Sequence, residues 1–380
     1  MNAIYLDHAA TTPIHPAVVE RMTEIFTSHY GNPSSIHSYG RKARQLLDQA
    51  RRVCAQSIGA NEKEIIFTSG GTEADNLAIL GTAFANKDNG RHIITTKIEH
   101  HATLHTAQYL ERHGYEVTYL DVMENGSIDI EELKQKLRND TILVSIMMVN
   151  NETGVIQPIK QIGEILKDHI AYFHTDAVQA YGLLDIDVTD LQVDLLSVSS
   201  HKINGPKGIG FLYANEHVPL QSLQFGGEQE RKRRAGTENV AGIVGFEKAI
   251  QLAGTERLDK ITQYEKFRKI FIDTLNNHEI KFTVNGDKGE RVPNIINLSF
   301  PNMNVEKLLT NFDLSGVAAS SGSACTAGSV EPSHVLSAMY NANHPCTTNS
   351  IRFSFGLANN EENVKEAAER VAAIIKRLSA

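Results

Sequence analysis

The sequence predicts an α/β fold, with a mainly parallel central sheet flanked by helices and a smaller α+β domain beside it. Three observations carry this. Between about residues 60 and 215, short apolar runs alternate with stretches of helical periodicity. The run Thr141 to Val149 is almost continuously apolar, as suits a strand buried on both faces. After residue 255 the alternation gives way to isolated strands between helices.

Taken in order, Glu64 to Thr68 reads as a strand, followed by a Gly-rich turn and the helix Ala74 to Phe84. His92 to Thr96 is the next strand, then a helix near 101–113 and the alternating strand Tyr115 to Leu120. Ile128 to Leu137 is helical, with Asp129 as its cap. The strand 141–149, a helix near 158–168, and strands at Ala171 to Thr175, Val193 to Ser199 and Ile209 to Tyr213 complete the series. Beyond it, Ile295 to Phe300 and Ser350 to Phe355 read as strands. The helix 361–378 puts Val364, Ala368, Val371, Ile375 and Leu378 on one apolar face. The expected division is a large domain over 15–255 and a small one built from 1–14 and 256–380.

The 380 residues are 41% hydrophobic, enough for a sizeable core, and carry a net charge of -8. A mildly acidic chain is not an obvious nucleic-acid binder, and no direct contact with nucleic acid is expected. Three cysteines without a CxxC pair argue against a disulfide framework or zinc ribbon, and for a reducing compartment. The start MNAIYLDHAATTP lacks a basic, apolar leader, and no window approaches the roughly 18 apolar residues that cross a bilayer. The expectation is a cytoplasmic protein that makes no membrane contact.

Lys202 follows the apolar run 193–198, at the edge where open α/β sheets bind ligands. A lysine desolvated there can form a Schiff base with an aldehyde, although a lone lysine is more often a surface residue. Asp176 ends the preceding strand and can pair with a protonated ring nitrogen; a helix cap is its bland alternative. The two together are more telling than either. Thr68 to Glu73, glycines and hydroxyls between a strand and a helix, suits an anion cradle, or simply a turn. It lacks the lysine of a P-loop. Cys325 lies in a run of small residues, which predicts an exposed loop fit for a reactive thiol; a small buried cysteine in a tight turn is the alternative. Cys54 reads as core, and Cys346 carries no assignment. His101 and His105 are one helical turn apart but lack HExxH and a third ligand, so no metal is expected. His100 can instead lie over a flat ring and move protons. The basic run 231–234 is a solvated patch or lies near an anion or interface.

Together these residues resemble the class V aminotransferase-like enzymes of fold type I, and most closely the NifS/IscS-type cysteine desulfurases. The motifs run in order along nearly the whole chain: YLDHAATTP at 5–13, GNPSSIHSYG at 31–40, FTSGGTEADNLAI at 67–79, EHHA at 99–102, VNNETG at 149–154, HTDAVQ at 174–179, SVSSHKINGPKG at 197–208, GGEQERKRRAGTEN at 226–239, SSGSACTAG at 320–328, EPSHVL at 331–336 and SIRFSFG at 350–356. The resemblance implies pyridoxal 5'-phosphate as cofactor, with Lys202 as Schiff-base lysine, Asp176 as partner of the pyridinium and Gln179 as donor to the phenolic oxygen. It implies that His100 stacks on the ring as an acid/base group, and that Gly71, Thr72, Ser199 and His201 hold the phosphate. Thr237 would do so from the second subunit of a homodimer. Asn151 and Arg352 would bind the carboxylate of L-cysteine. Cys325 would take the sulfur as a persulfide, release alanine, and pass the sulfur to an acceptor protein such as an iron–sulfur scaffold or a tRNA-thiolation enzyme. An aminotransferase or a selenocysteine lyase on the same fold is the alternative enzyme. A non-catalytic scaffold would need none of Lys202, Asp176 and Arg352.

Overall fold

Short runs rich in Ile, Leu, Val and Thr build the central sheet in the computed structural model, which describes residues 3–322, 325, 326, 329, 330 and 332–379. Among the described residues the sheet has seven strands: β1 Ile65–Thr68, β2 His92–Thr96, β3 Glu116–Leu120, β4 Thr141–Ser145, β5 Tyr172–Asp176, β6 Leu195–Ser199 and β7 Gly210–Ala214. Their spatial order is β1-β7-β6-β5-β4-β2-β3. All neighbours pair parallel except β7, which runs antiparallel to both β1 and β6.

The pleat sorts adjacent residues onto opposite faces. Ile94, Val144, Leu196 and Phe211 join one apolar core, while Ile93, Leu143, Leu195 and Leu212 join the other. The second core is covered by the helix Gly71–Ala85 through Ala74, Leu77 and Ala78. Because helices cover both faces, inner strands such as Thr141–Ser145 and Leu195–Ser199 are buried throughout, whereas the edge strand Glu116–Leu120 alternates in sequence.

A further core gathers around an antiparallel sheet in which Ile295–Ser299 lies between Ser350–Ser354 and Thr283–Val284. The first residues join it: Ile4–Tyr5 pairs in parallel with Val317–Ala318. The helix Val240–Asn277 spans both regions. Phe246 and Ile250 pack in the large core, and Phe267 and Phe271 in the small one. Residue 255 therefore falls inside a continuous helix.

Two local expectations are corrected. The strand 141–149 ends at Ser145. Ile146 and Met148 still donate to His174 O and Asp176 O on one side, but the Met147 N–H turns to the buried Glu99 carboxylate (3.0 and 3.1 Å), which ends the ladder on the other side. In the helix Glu361–Ser379 the apolar face stops short of Leu378, which is 36% exposed at the last turn. Cys54 is fully buried in the core, and Cys346 is buried in the short helix Cys346–Asn349. Among the described residues no helix is long and apolar enough to cross a membrane.

Candidate active site

The carboxyl ends of β1, β5 and β6 meet at one cavity of about 310 Å³. Gly71, Thr72, His100, Asn151, Asp176, Gln179, Ser199, His201, Lys202 and Arg352 all line it. Thr237 does not; it is exposed on a loop after Gly236. The Cys325 thiol lies outside the described residues. Only its backbone is placed, where Cys325 and Thr326 pair antiparallel with Val330 and Ser329.

Lys202 closes a single 3-10 turn after β6. Its Nζ donates to Ala9 O, and to Ala10 O at 2.8 Å, so the start of the chain forms one wall. Burial lowers the ammonium to about 7; Arg352 adds to this, and Asp176 and Asp7 oppose it. Asp176 ends β5, the neighbouring strand. Burial raises its carboxyl to about 6, against the Val178 N–H (2.8 Å to Oδ1) and Lys202. Gln179 Nε2 donates to Ala9 O at 2.9 Å.

One end of the cavity suits an anion. Gly70, at φ 147, precedes the helix Gly71–Ala85 and points its N-terminus at the site. A Cβ at Gly71 would lie 2.7 Å from Val178 Cγ2, so glycine keeps this backbone close to the cavity wall. Ser199 is buried beside it, and His201 Nδ1 is buried with no hydrogen-bond partner among the described residues. Burial, then Lys202 and Lys207, lowers His201 to about 4, which leaves a neutral imidazole. Glu73 in the first turn pairs with Arg234 (2.7 and 3.1 Å). The rest of the basic run is tied to the protein as well: Lys232 pairs with Glu228, while Arg231 and Arg233 donate to Glu62 O and Lys63 O.

His100 caps the helix His101–Arg112, its Nδ1 accepting the Ala102 N–H at 3.1 Å. Burial, then Lys202 and the neighbouring imidazoles, lowers it to about 4. The ring is therefore neutral with its proton on Nε2. Opposite, Arg352 is buried in Ser350–Ser354, with Nη1 on Asn151 O (2.9 Å) and Nη2 on Asp7 Oδ1 (2.8 Å). Its Nε has no partner among the described residues.

Sequence reasoning missed Asp75, which also lines the cavity and is 1% exposed. Its carboxyl is raised well above the usual range by burial first and then by Asp176. The available signal was its place one helical turn after Gly71. Met147 and the backbone of Ala9 and Ala10 were missed too. Ala9 and Ala10 lie inside the motif at 5–13, but they contribute backbone carbonyls, which side-chain chemistry does not reveal, and Met147 lines the wall.

The arrangement offers a desolvated amine, a buried carboxylate on the adjacent strand, an anion cradle and a buried guanidinium. That donor set fits an aldehyde-bearing, phosphorylated pyridine. The aminotransferase class-V family model matches residues 4–366. A "Putative cysteine desulfurase IscS 1" of Bacillus subtilis (strain 168) is 61% identical over 379 residues, covering 100% of both chains. A "Cysteine desulfurase IscS" of Methanosarcina thermophila is 49% identical, covering 99% of this chain and 93% of its own. Among solved structures, a "NifS-like protein" superposes with a TM-score of 0.92 at 35% identity, covering 99% of this chain and 100% of its own. A NifS-like protein from Rickettsia africae ESF-5 reaches 0.86 at 32%, with the same coverage.

Proposed function

This chain belongs to the aminotransferase class-V family, and from that membership we propose that it is a pyridoxal 5'-phosphate-dependent cysteine desulfurase. It converts L-cysteine to L-alanine and leaves the sulfur as a persulfide on Cys325. The observation that carries this reading is Lys202 beside Asp176 in one cavity with the anion cradle, in a chain 61% identical to a protein bearing that name. When bound, the cofactor supplies an electron sink for bonds broken at the substrate Cα and Cβ.

The chain's own residues do the rest. Lys202 Nζ, at about 7, has a substantial neutral fraction at neutral pH. It would hold the cofactor at its aldehyde end, and as a neutral amine it can take the Cα proton of the substrate. Asp176 would accept the hydrogen bond of the protonated ring nitrogen. Gly71, Thr72, Ser199 and His201 would hold the phosphate. Arg352 takes the substrate carboxylate with Asn151, exchanging its contact with Asp7. His100 keeps one proton on Nε2, ready for transfer. The Cys325 thiolate attacks the substrate sulfur. The new S–S bond forms as the sulfur–Cβ bond breaks; its electron pair stays at Cβ and takes up a proton there, and the proton held by Lys202 returns to Cα to complete alanine.

The large PLP-binding domain is 15–255, and the small domain, 1–14 with 256–380, carries the Cys325 loop. The working form is a cytoplasmic homodimer in which Thr237 reaches the partner's phosphate site. Exposure of the large apolar side chains Phe26, Tyr30, Ile36 and Phe225, and of Thr237, supports a second copy covering apolar surface. The sulfur acceptor is an iron–sulfur scaffold or a tRNA-thiolation enzyme. The test of the activity is Cys325→Ser. It should keep the absorbance of the lysine-bound cofactor and lose alanine release from L-cysteine; turnover like the wild type would sink the assignment.

A further inference from the structure

Glu152 follows Asn151, is fully buried, and has no part in the chemistry above. Its position relative to the Cys325 segment is unusual. On the C-terminal side of that segment, Ser333 Oγ donates to Glu152 Oε2 at 2.5 Å and accepts the Leu336 N–H at 3.1 Å. On the N-terminal side, Gly322 lies directly on the same carboxyl group. A Cβ at Gly322 would sit 1.8 Å from Glu152 Oε2 and 2.2 Å from its Cδ. One buried carboxylate thus touches the last described residue before the Cys325 segment and a residue just after it.

Both roots are also tied to the substrate site. Ser320 exchanges backbone hydrogen bonds with Arg352 (2.7 and 3.2 Å). His334 Nε2 bonds to Glu99 O at 2.9 Å, one residue before His100. Glu152 is itself fixed from several sides. Its N–H donates to Asn150 Oδ1 at 3.0 Å, its carbonyl accepts from Asn297 Nδ2 at 3.2 Å, and its chain neighbour Asn151 accepts from Arg352. Burying a carboxylate to cap one short helix is a costly arrangement when Ser333 already caps it.

We infer that Glu152 is a positioning residue that fixes both roots of the Cys325 segment against the substrate-binding site. The inference rests on the desulfurase reading, in which the thiol must meet the substrate sulfur. Holding both ends of the segment on one rigid group limits where the thiol can go, and misplacement of a nucleophile by an ångström is costly in rate.

The test uses Glu152→Ala, which removes the shared anchor, and Gly322→Ala, which drives a methyl group into it, both as holoenzymes. Each should load the cofactor and bind L-alanine within about threefold of wild type, while kcat for alanine formation falls about tenfold or more at nearly unchanged KM. Alkylation of Cys325 by iodoacetamide, read against buried Cys54 and Cys346, should change at least about threefold, and the double variant should be no slower than the worse single one. Gly322→Ala retains the carboxylate, so it serves where Glu152→Ala does not fold. Unchanged kcat and alkylation would overturn the inference. So would a loss that merely tracks lost cofactor or raised KM, which is what a structural role alone produces. Wild-type turnover by Cys325→Ser would instead remove the desulfurase reading itself, so the two failures are distinguishable.

Discussion

The reactivity of Lys202 comes from where its ammonium sits. Its ordinary value is 10.5, and burial brings it to about 7. Between those values the unfolded chain binds the proton and the folded one does not, so stability rises with pH from 7 toward 10.5 as the cost of burying this group fades. Its penalty is fully present below about 7. The same shift predicts chemistry. Uptake of pyridoxal phosphate by the apoprotein needs the neutral amine, so its rate should fall about tenfold per pH unit below 7 and level off well above it. Stopped-flow absorbance over pH 5–9 reads this, and a flat profile through about pH 7 would show that Lys202 is not the attacking amine. At this scale the sequence was informative where a residue type is rare at its position. A lysine and an aspartate at neighbouring strand ends are conspicuous. Asp75 was not, because an acid in the second turn of a helix looks solvated until the fold buries it beside His174, 3.6 Å away.

Elements place these residues, and one of them is held under strain. Glu230, Arg231 and Lys232 occupy the left-handed region in succession, with φ 47, 56 and 67. None is glycine, and each such residue costs on the order of 1 kcal/mol. The turn persists because the buried Glu230 carboxylate accepts two bonds from Arg51 at 2.7 Å and one from the Phe67 N–H at 3.0 Å. Glu230→Ala would leave Arg51 buried and unpaired. Its expected cost is about 3 kcal/mol, read from denaturant midpoints, and a loss below about 1 kcal/mol would show that the turn is anchored elsewhere. The regular strands of the large sheet were legible because their β-branched residues are bounded by turn residues, as at His92–Thr96 (His-Ile-Ile-Thr-Thr), where the bounds agree. The run after Ser145 was overread because it is equally apolar but donates to a side chain, Glu99, that lies far away in sequence. Two-residue strands such as Ile4–Tyr5 and Val317–Ala318 have no period to detect.

For the whole molecule, composition and alternation were enough to predict an α/β sheet with an added α+β region. They did not reveal that one 38-residue helix serves both cores: its buried residues stop at Ala253 in the large core and resume at Tyr264 in the small one, with Leu258 exposed between them, so the two ends read as separate helices. The exposed Phe26, Tyr30, Ile36 and Phe225 are apolar surface that the proposed dimer would cover. Sedimentation velocity should find a dimer, with Phe26→Glu/Ile36→Glu shifted to monomer and retaining less cofactor; a monomeric wild type with full cofactor would remove Thr237 from the site. The central claim, that this site moves sulfur from L-cysteine to Cys325, is tested most directly by mass. After incubation of the holoenzyme with L-cysteine and no reductant, the intact chain should gain the mass of sulfur on the peptide containing Cys325, with one alanine released for each sulfur. Alanine formed with no sulfur on Cys325, or sulfur found only on Cys54 or Cys346, would contradict it.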